Sequence, residues 1–238
     1  FSGYVTNMSK LVKIAKKYNL PIVEDACQSI LGSIDGKLSG TWGVAGAFSL
    51  HPLKNLNVWS DGGMIITNRD DLNSLFRLLR NHGLKDRDTI EILGYNSRLD
   101  TLQAVVGNWL IPSTKQITNQ RIKNAKIFDQ GFKKIKEIII PPRPKKMKIV
   151  YHLYIVFAEN RDKLLKYCIK KGIEAKIHYP TPIYRQKAVK HFGYRAGDFP
   201  VTDRHAKTMI SFPCDQHLSK SQIKYIIDTV FNFYKGKK

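Results

Sequence analysis

The 238-residue chain is long enough for one large or two modest domains with a real core. Its apolar share is an ordinary 42%, and no apolar run approaches the roughly 20 residues that cross a bilayer, which argues against a membrane protein. Charge is lopsided: residues 1–110 carry 12 Lys and Arg against 10 Asp and Glu, and residues 111–238 carry 28 against 9. Such a basic half could steer anions, nucleic acid included. Its lysines are spread over predicted helices and loops, however, with no finger spacing and no RNA-binding aromatic signature, which favours a Lys-rich soluble surface over a nucleic-acid partner. Three cysteines (Cys27, Cys168, Cys214) in no metal spacing point to a reduced cytosol and to no metal. Phe1 is not an initiator Met and no signal pattern follows it, so the chain is expected to begin partway into a protein.

In chain order, "NMSKLVKIAKKYNLP" places Leu11, Ile14, Ala15 and Tyr18 at helical spacing, with Asn7 as cap and Pro21 as stop. "PIVEDA" reads as a short buried strand with acids at its end, "GSIDGKLSGTWG" as a Gly-rich loop, and "AGAFSLH" and "GGMIITN" as two more strands. "DDLNSLFRLLRNHG" is a helix with acids at its start, Arg77 and Arg80 at its end and Gly83 beyond. A helical stretch from about Leu99 to Ile127 should be interrupted by Pro112. After "IIIPPRPKK" the spacing predicts a strand in "VYHLYIVFA", a helix closed by Gly172, a strand in "IEAKIHYP" and a C-terminal amphipathic helix capped near Ser219 or Lys220. An α/β domain followed by a smaller α+β domain, joined near residues 112–130, fits this alternation.

One lysine stands apart. Lys54 lies in an otherwise charge-free run from Ala47 to Ser60, just past a predicted strand, and Asp25 ends an earlier one. Ligands of open α/β sheets bind at the carboxyl ends of strands, so both residues could face one crevice. The pair could be a structural ion pair, a grip for an anion or a cofactor site. Pyridoxal phosphate (PLP) needs an amine for a Schiff base, a carboxylate against its pyridinium nitrogen and donors for its phosphate. The useful lysine is the neutral one, and apolar surroundings favour that form.

The stretch "IVEDACQSILGSIDGKLSGTWGVAGAFSLHPLKNLNVWSDGGMIITN" resembles the core of the DegT/DnrJ/EryC1/StrS family of sugar aminotransferases. The further blocks "LGYNSRLDTLQAVVG", "YHLYIVF", "KKGIEAKIHYPTPIY" and "ISFPCDQHLS" match that family in order. The resemblance implies an α/β PLP-dependent transferase architecture of fold type I, the aspartate aminotransferase type. Residues 1–125 would be the C-terminal part of the large PLP-binding domain, and 126–238 the small α+β domain. It implies PLP as cofactor, Lys54 as Schiff-base lysine, Asp25 as partner of the pyridinium nitrogen, Gln28 against the ring and Ser49 on the phosphate. Asn96 would reach the cofactor of a neighbouring subunit, giving a homodimer with shared active sites. His51, His178 and Tyr179 are substrate-side candidates. The implied reaction moves an amino group from an amino acid such as glutamate to a nucleotide-linked keto sugar, for amino-sugar or polysaccharide biosynthesis in the cytoplasm.

Read without the resemblance, Ser49 could cap a turn, His51 could be structural, Gln28 a surface amide and Asn96 a holder of left-handed backbone. Two departures stand out: Tyr184 where many members have His, and "NVWSDGG" where T-G-E-G-G is commoner. The family's upstream phosphate loop and stacking aromatic have no counterpart here, so the fragment should not complete a site by itself. The rival class is an inactive basic binding or regulatory protein that keeps the fold.

Overall fold

Asn7 starts the first helix by accepting the Lys10 N–H on its side chain at 3.2 Å. The structure, a computed structural model, describes residues Phe1–Gly236. Helix α1 (Met8–Lys17) leads to β1 (Val23–Asp25), β2 (Ser33–Ile34), β3 (Lys37–Leu38), β4 (Ala45–Ser49) and β5 (Gly63–Ile66). Helices α2 (Asp70–Leu79), α3 (Thr101–Leu110) and α4 (Thr114–Phe132) follow. Then come β6 (Ile138–Ile139), β7 (Met147–Lys148), β8 (Tyr154–Ala158), α5 (Arg161–Lys170), α6 (Pro200–Thr208), β9 (Met209–Phe212) and α7 (Lys220–Lys235). Pro112 sits in a 3-10 turn, Ile111–Ser113, that separates α3 from α4, the interruption its missing N–H requires.

The chain divides into two units. The first holds Phe1, residues 3–119 and residues 144–152; the second holds Ser2, residues 120–143 and everything from Leu153 onward. In the first unit β4 is the central strand, parallel to β1 and antiparallel to β5. Here β1 departs from the expected buried strand: Val23 is 68% exposed while Glu24 is buried. The reason is chemical, because the Glu24 carboxylate accepts the N–H groups of Gly40, Trp42 and Gly43 and so ties down the following loop. That Gly-rich segment is also more than a loop. Asp35 and Gly36 both take positive φ, +50° and +80°, and fold β2 and β3 into a hairpin that β7 extends. Of the apolar face expected on α1, Ala15 is buried together with Met8, whereas Leu11, Ile14 and Tyr18 are exposed.

In the second unit β6, β8 and β9 form an antiparallel sheet. Its core is aromatic: Phe128 stacks on Tyr154 at 4.9 Å between centroids, and Phe132 lies 5.3 Å from Phe212. Asp129 receives two hydrogen bonds from Arg143 at 3.0 Å and one from the Tyr154 hydroxyl at 2.7 Å, so the Tyr154 hydroxyl enters this core with an acceptor. Helix α7 begins with a capping box between Ser219 and Gln222, and Gly172 closes α5 beyond its last turn at φ +74°. The strand expected in "IEAKIHYP" shrinks to one bridge, Lys176 with Ser211. Pro180 and Pro182 lack the N–H groups a longer ladder needs.

Candidate active site

Parallel pairing of β1 with β4 places Asp25 opposite Ala47, so the carboxyl ends of both strands open on one edge of the sheet. Asp25 ends β1 and Ser49 ends β4. Lys54 follows within one turn, its N–H donating to the His51 carbonyl at 2.8 Å. The turn is moored on both sides. Leu50, Leu56 and Val58 form a buried cluster against Ile30, Met64 and Leu99. Asn55, 3% exposed, donates from Nδ2 to the Val150 carbonyl at 3.0 Å. Asn57 donates from Nδ2 to the Lys54 carbonyl at 2.9 Å. The charge-free neighbourhood of Lys54 is therefore the anchoring of its loop, and the lysine itself is half-buried.

The Cys27 thiol and its backbone N–H, which donates to Asp25 Oδ1 at 3.0 Å, hold the Asp25 carboxyl below the usual carboxylate range; the nearby charge of Lys54 acts in the same direction. Burial, reinforced by Asp25, pushes the Cys27 thiol up and makes it a poor nucleophile. Asp25, Cys27 and Lys54 thus share one electrostatic environment. Gln28, half-buried, stands one residue beyond Cys27.

Ser49 Oγ accepts the His51 N–H at 3.3 Å, and His51 Nδ1 accepts the Leu53 N–H at 3.2 Å. Both side chains brace the turn that carries Lys54. Asn96 is exposed on a segment fastened to the end of α2 through a bridge to Asn81, with its Oδ1 accepting from Arg98 at 3.2 Å.

His178 and Tyr179 belong to the second unit and line a groove of about 520 Å³ with Thr202, His205 and Met209. Burial, and next the charge of Lys176, hold the His178 ring below the usual histidine value. Tyr184, the departure noted in the sequence, donates its hydroxyl to Asp203, which Arg185 also grips at 3.2 Å. Sequence reasoning missed Glu24, Asn55 and Asn57. The one legible signal was a glutamate inside an apolar strand.

No three His, Cys, Asp or Glu side chains cluster to hold a metal among the described residues. Nor is any described helix long and apolar enough to cross a membrane.

The sequence matches the DegT/DnrJ/EryC1/StrS aminotransferase family over residues 1–231. The chain belongs to that family. Members are PLP-dependent in general. Among curated relatives it is similar to a pleiotropic regulatory protein of Geobacillus stearothermophilus, 34% identical over 98% of this chain and 63% of that protein. It is also similar to the dTDP-3-amino-3,4,6-trideoxy-alpha-D-glucose transaminase of Streptomyces venezuelae, 31% identical over 96% of this chain and 60% of the relative. The solved structure of S. venezuelae DesV in complex with a ketimine intermediate superposes with a TM-score of 0.94 at 31% identity, covering 98% of this chain and 63% of that one. The chain thus has the mixed α/β fold of DegT/DnrJ/EryC1/StrS aminotransferases, and spans roughly three fifths of the length of the curated relatives it matches.

Proposed function

We propose that the protein of which this chain forms at least part is a PLP-dependent aminotransferase that moves an amino group from glutamate, or a similar amino acid, to a nucleotide-linked keto sugar. The observation that carries this reading is that Lys54, on a turn clamped by Leu50, Asn55 and Val58, lies near enough for its charge to act on the Asp25 carboxyl at the neighbouring strand end. The donor set fits the cofactor: a carboxylate held below its usual range, a half-buried amine and a serine hydroxyl. When bound, PLP supplies an electron sink for breaking a Cα–H bond.

Lys54 would hold the cofactor covalently through Nζ and, once displaced by the donor's amine, would accept and return the proton from that position. Asp25 would keep the ring nitrogen protonated, a task for which its lowered pKa suits it. Ser49 would bind the phosphate and Gln28 would bear on the ring. The anchored turn would hold Nζ in place without a large reorganisation. The first unit, with residues 3–119 and 144–152, would then be the cofactor-binding part of the large domain, and the second unit the small domain, in place of a single boundary at residue 125. The groove beside His178 and Tyr179 would take the sugar.

A homodimer fits the exposed apolar residues Leu102, Val105 and Trp109 on α3 and the exposed Asn96. The naming of the Streptomyces relative as a dTDP-sugar transaminase supports the substrate class. The Geobacillus relative's name favours one second reading, a regulator that keeps the fold.

Borohydride reduction of the PLP-loaded full-length protein should fix the label on Lys54 in a peptide map. Lys54→Ala should abolish turnover of a dTDP-linked 3-keto sugar with glutamate, a loss of at least about a thousandfold. Normal turnover by that variant overturns the assignment. Labelling of Lys54 without turnover on any keto sugar points to the regulator.

A further inference from the structure

Ser211 is 4% exposed in β9, where it exchanges both backbone hydrogen bonds with Lys176, at 2.9 and 3.0 Å. Its hydroxyl oxygen lies 3.0 Å from the Lys176 carbonyl and 2.7 Å from Nδ1 of His178. A serine hydroxyl has one hydrogen and a carbonyl has none. Once that hydrogen goes to Lys176, Oγ can only accept from the ring, so Nδ1 must carry the imidazole hydrogen. The opposite assignment would leave Oγ and the carbonyl oxygen facing each other, lone pair to lone pair, at 3.0 Å.

We propose that Ser211 is a positioning residue that fixes His178 as the Nδ1–H tautomer, leaving a bare Nε2 to accept a hydrogen bond from a hydroxyl of the sugar. The proposal rests on the reading that the His178 groove takes that sugar. His178 is half-buried and lines the groove, so Nε2 is the ring's remaining polar atom for a ligand. Burial and the Lys176 ammonium both oppose the doubly protonated ring, in keeping with a neutral imidazole facing the groove. The groove's volume of about 520 Å³ lies within the usual range for small-molecule sites. A lone-pair acceptor there selects for a free hydroxyl over an anionic group.

The test combines a spectrum and a rate. Long-range proton–nitrogen correlation on the full protein with labelled histidine should show His178 as Nδ1–H near pH 7.5. Ser211→Ala, with folding checked by near-UV circular dichroism, should shift the ring toward Nε2–H, and Ser211→Thr should restore Nδ1–H. With a dTDP-linked 3-keto sugar, Ser211→Ala should raise KM about three- to tenfold with kcat within about twofold, the size of one neutral hydrogen bond. Finding Nε2–H in the unsubstituted protein, or no change of tautomer in Ser211→Ala, overturns the role of Ser211. A changed tautomer with unchanged KM overturns the contact to the sugar. Absence of any turnover in the unsubstituted protein tells against the aminotransferase reading instead, while the spectrum still decides the Ser211–His178 pair.

Discussion

Glu24 closes a loop with one side chain: its two carboxylate oxygens take three backbone N–H groups, from Gly40, Trp42 and Gly43. Replacing it by Ala leaves those donors without their acceptor inside a buried corner. Glu24→Ala should therefore lower unfolding free energy by about 2–5 kcal/mol, read from the urea midpoint. Its neighbour Asp25 has a pH signature. Because its folded carboxyl titrates below the unfolded one, its contribution is complete above the ordinary Asp value of about 3.9 and is lost as pH falls through the lower folded value. Asp25→Asn should flatten the stability profile in that acid window, as followed by denaturation at a series of pH values. The strand-end positions of Asp25 and Lys54 were legible because acids close one apolar run and a lone lysine follows another, whereas Ser49 was singled out only through the resemblance. Asn55 was not, because its partner Val150 lies 95 residues away and no local pattern encodes so distant a contact.

At the scale of elements, breaks and caps were the readable features. Pro112 stops α3 where it should, and Asn7 and Ser219 cap the helices that follow them. Ser219→Ala removes the box that starts α7 and should cost about 1 kcal/mol in chemical denaturation. The β2–β3 hairpin went unread because its strands are two residues long, too short to show alternation. Its Asp35–Gly36 turn was the only local cue. Strand β4 has a tighter constraint: a Cβ on Gly46 would meet the Gly40 carbonyl oxygen at 2.3 Å. Gly46→Ala should destabilise the first unit by about 1–3 kcal/mol through forced backbone displacement, visible as a lowered thermal midpoint.

For the molecule as a whole, charge and acid response follow from composition and burial. His178 and His205 are both held below the usual histidine value, in each case chiefly by burial. Such groups stabilise fully above about pH 6.5, and the contribution is lost as pH falls through their lower folded values. Acid unfolding should begin on the shoulder below pH 6.5, and it should soften when either histidine is replaced by Gln. A formal net charge of +21 predicts nucleic-acid association at low salt. That association should fall steeply with log salt and be negligible near 150 mM, by filter binding, if the lysines serve solubility. Alternation of strands and helices gave the α/β class from sequence, but not the route of the chain between units.

That route limits how the protein can be dissected. The chain leaves the first unit after Asn119, returns for residues 144–152 and leaves again at Leu153. The returning piece carries β7, which edges the hairpin, and Val150, which holds Asn55 beside Lys54. A truncation ending at Asn119 would thus retain every residue of the Lys54 turn yet lose its tether, and no single cut yields either half intact. Splitting or shuffling this chain has to carry that nine-residue return along with its front part.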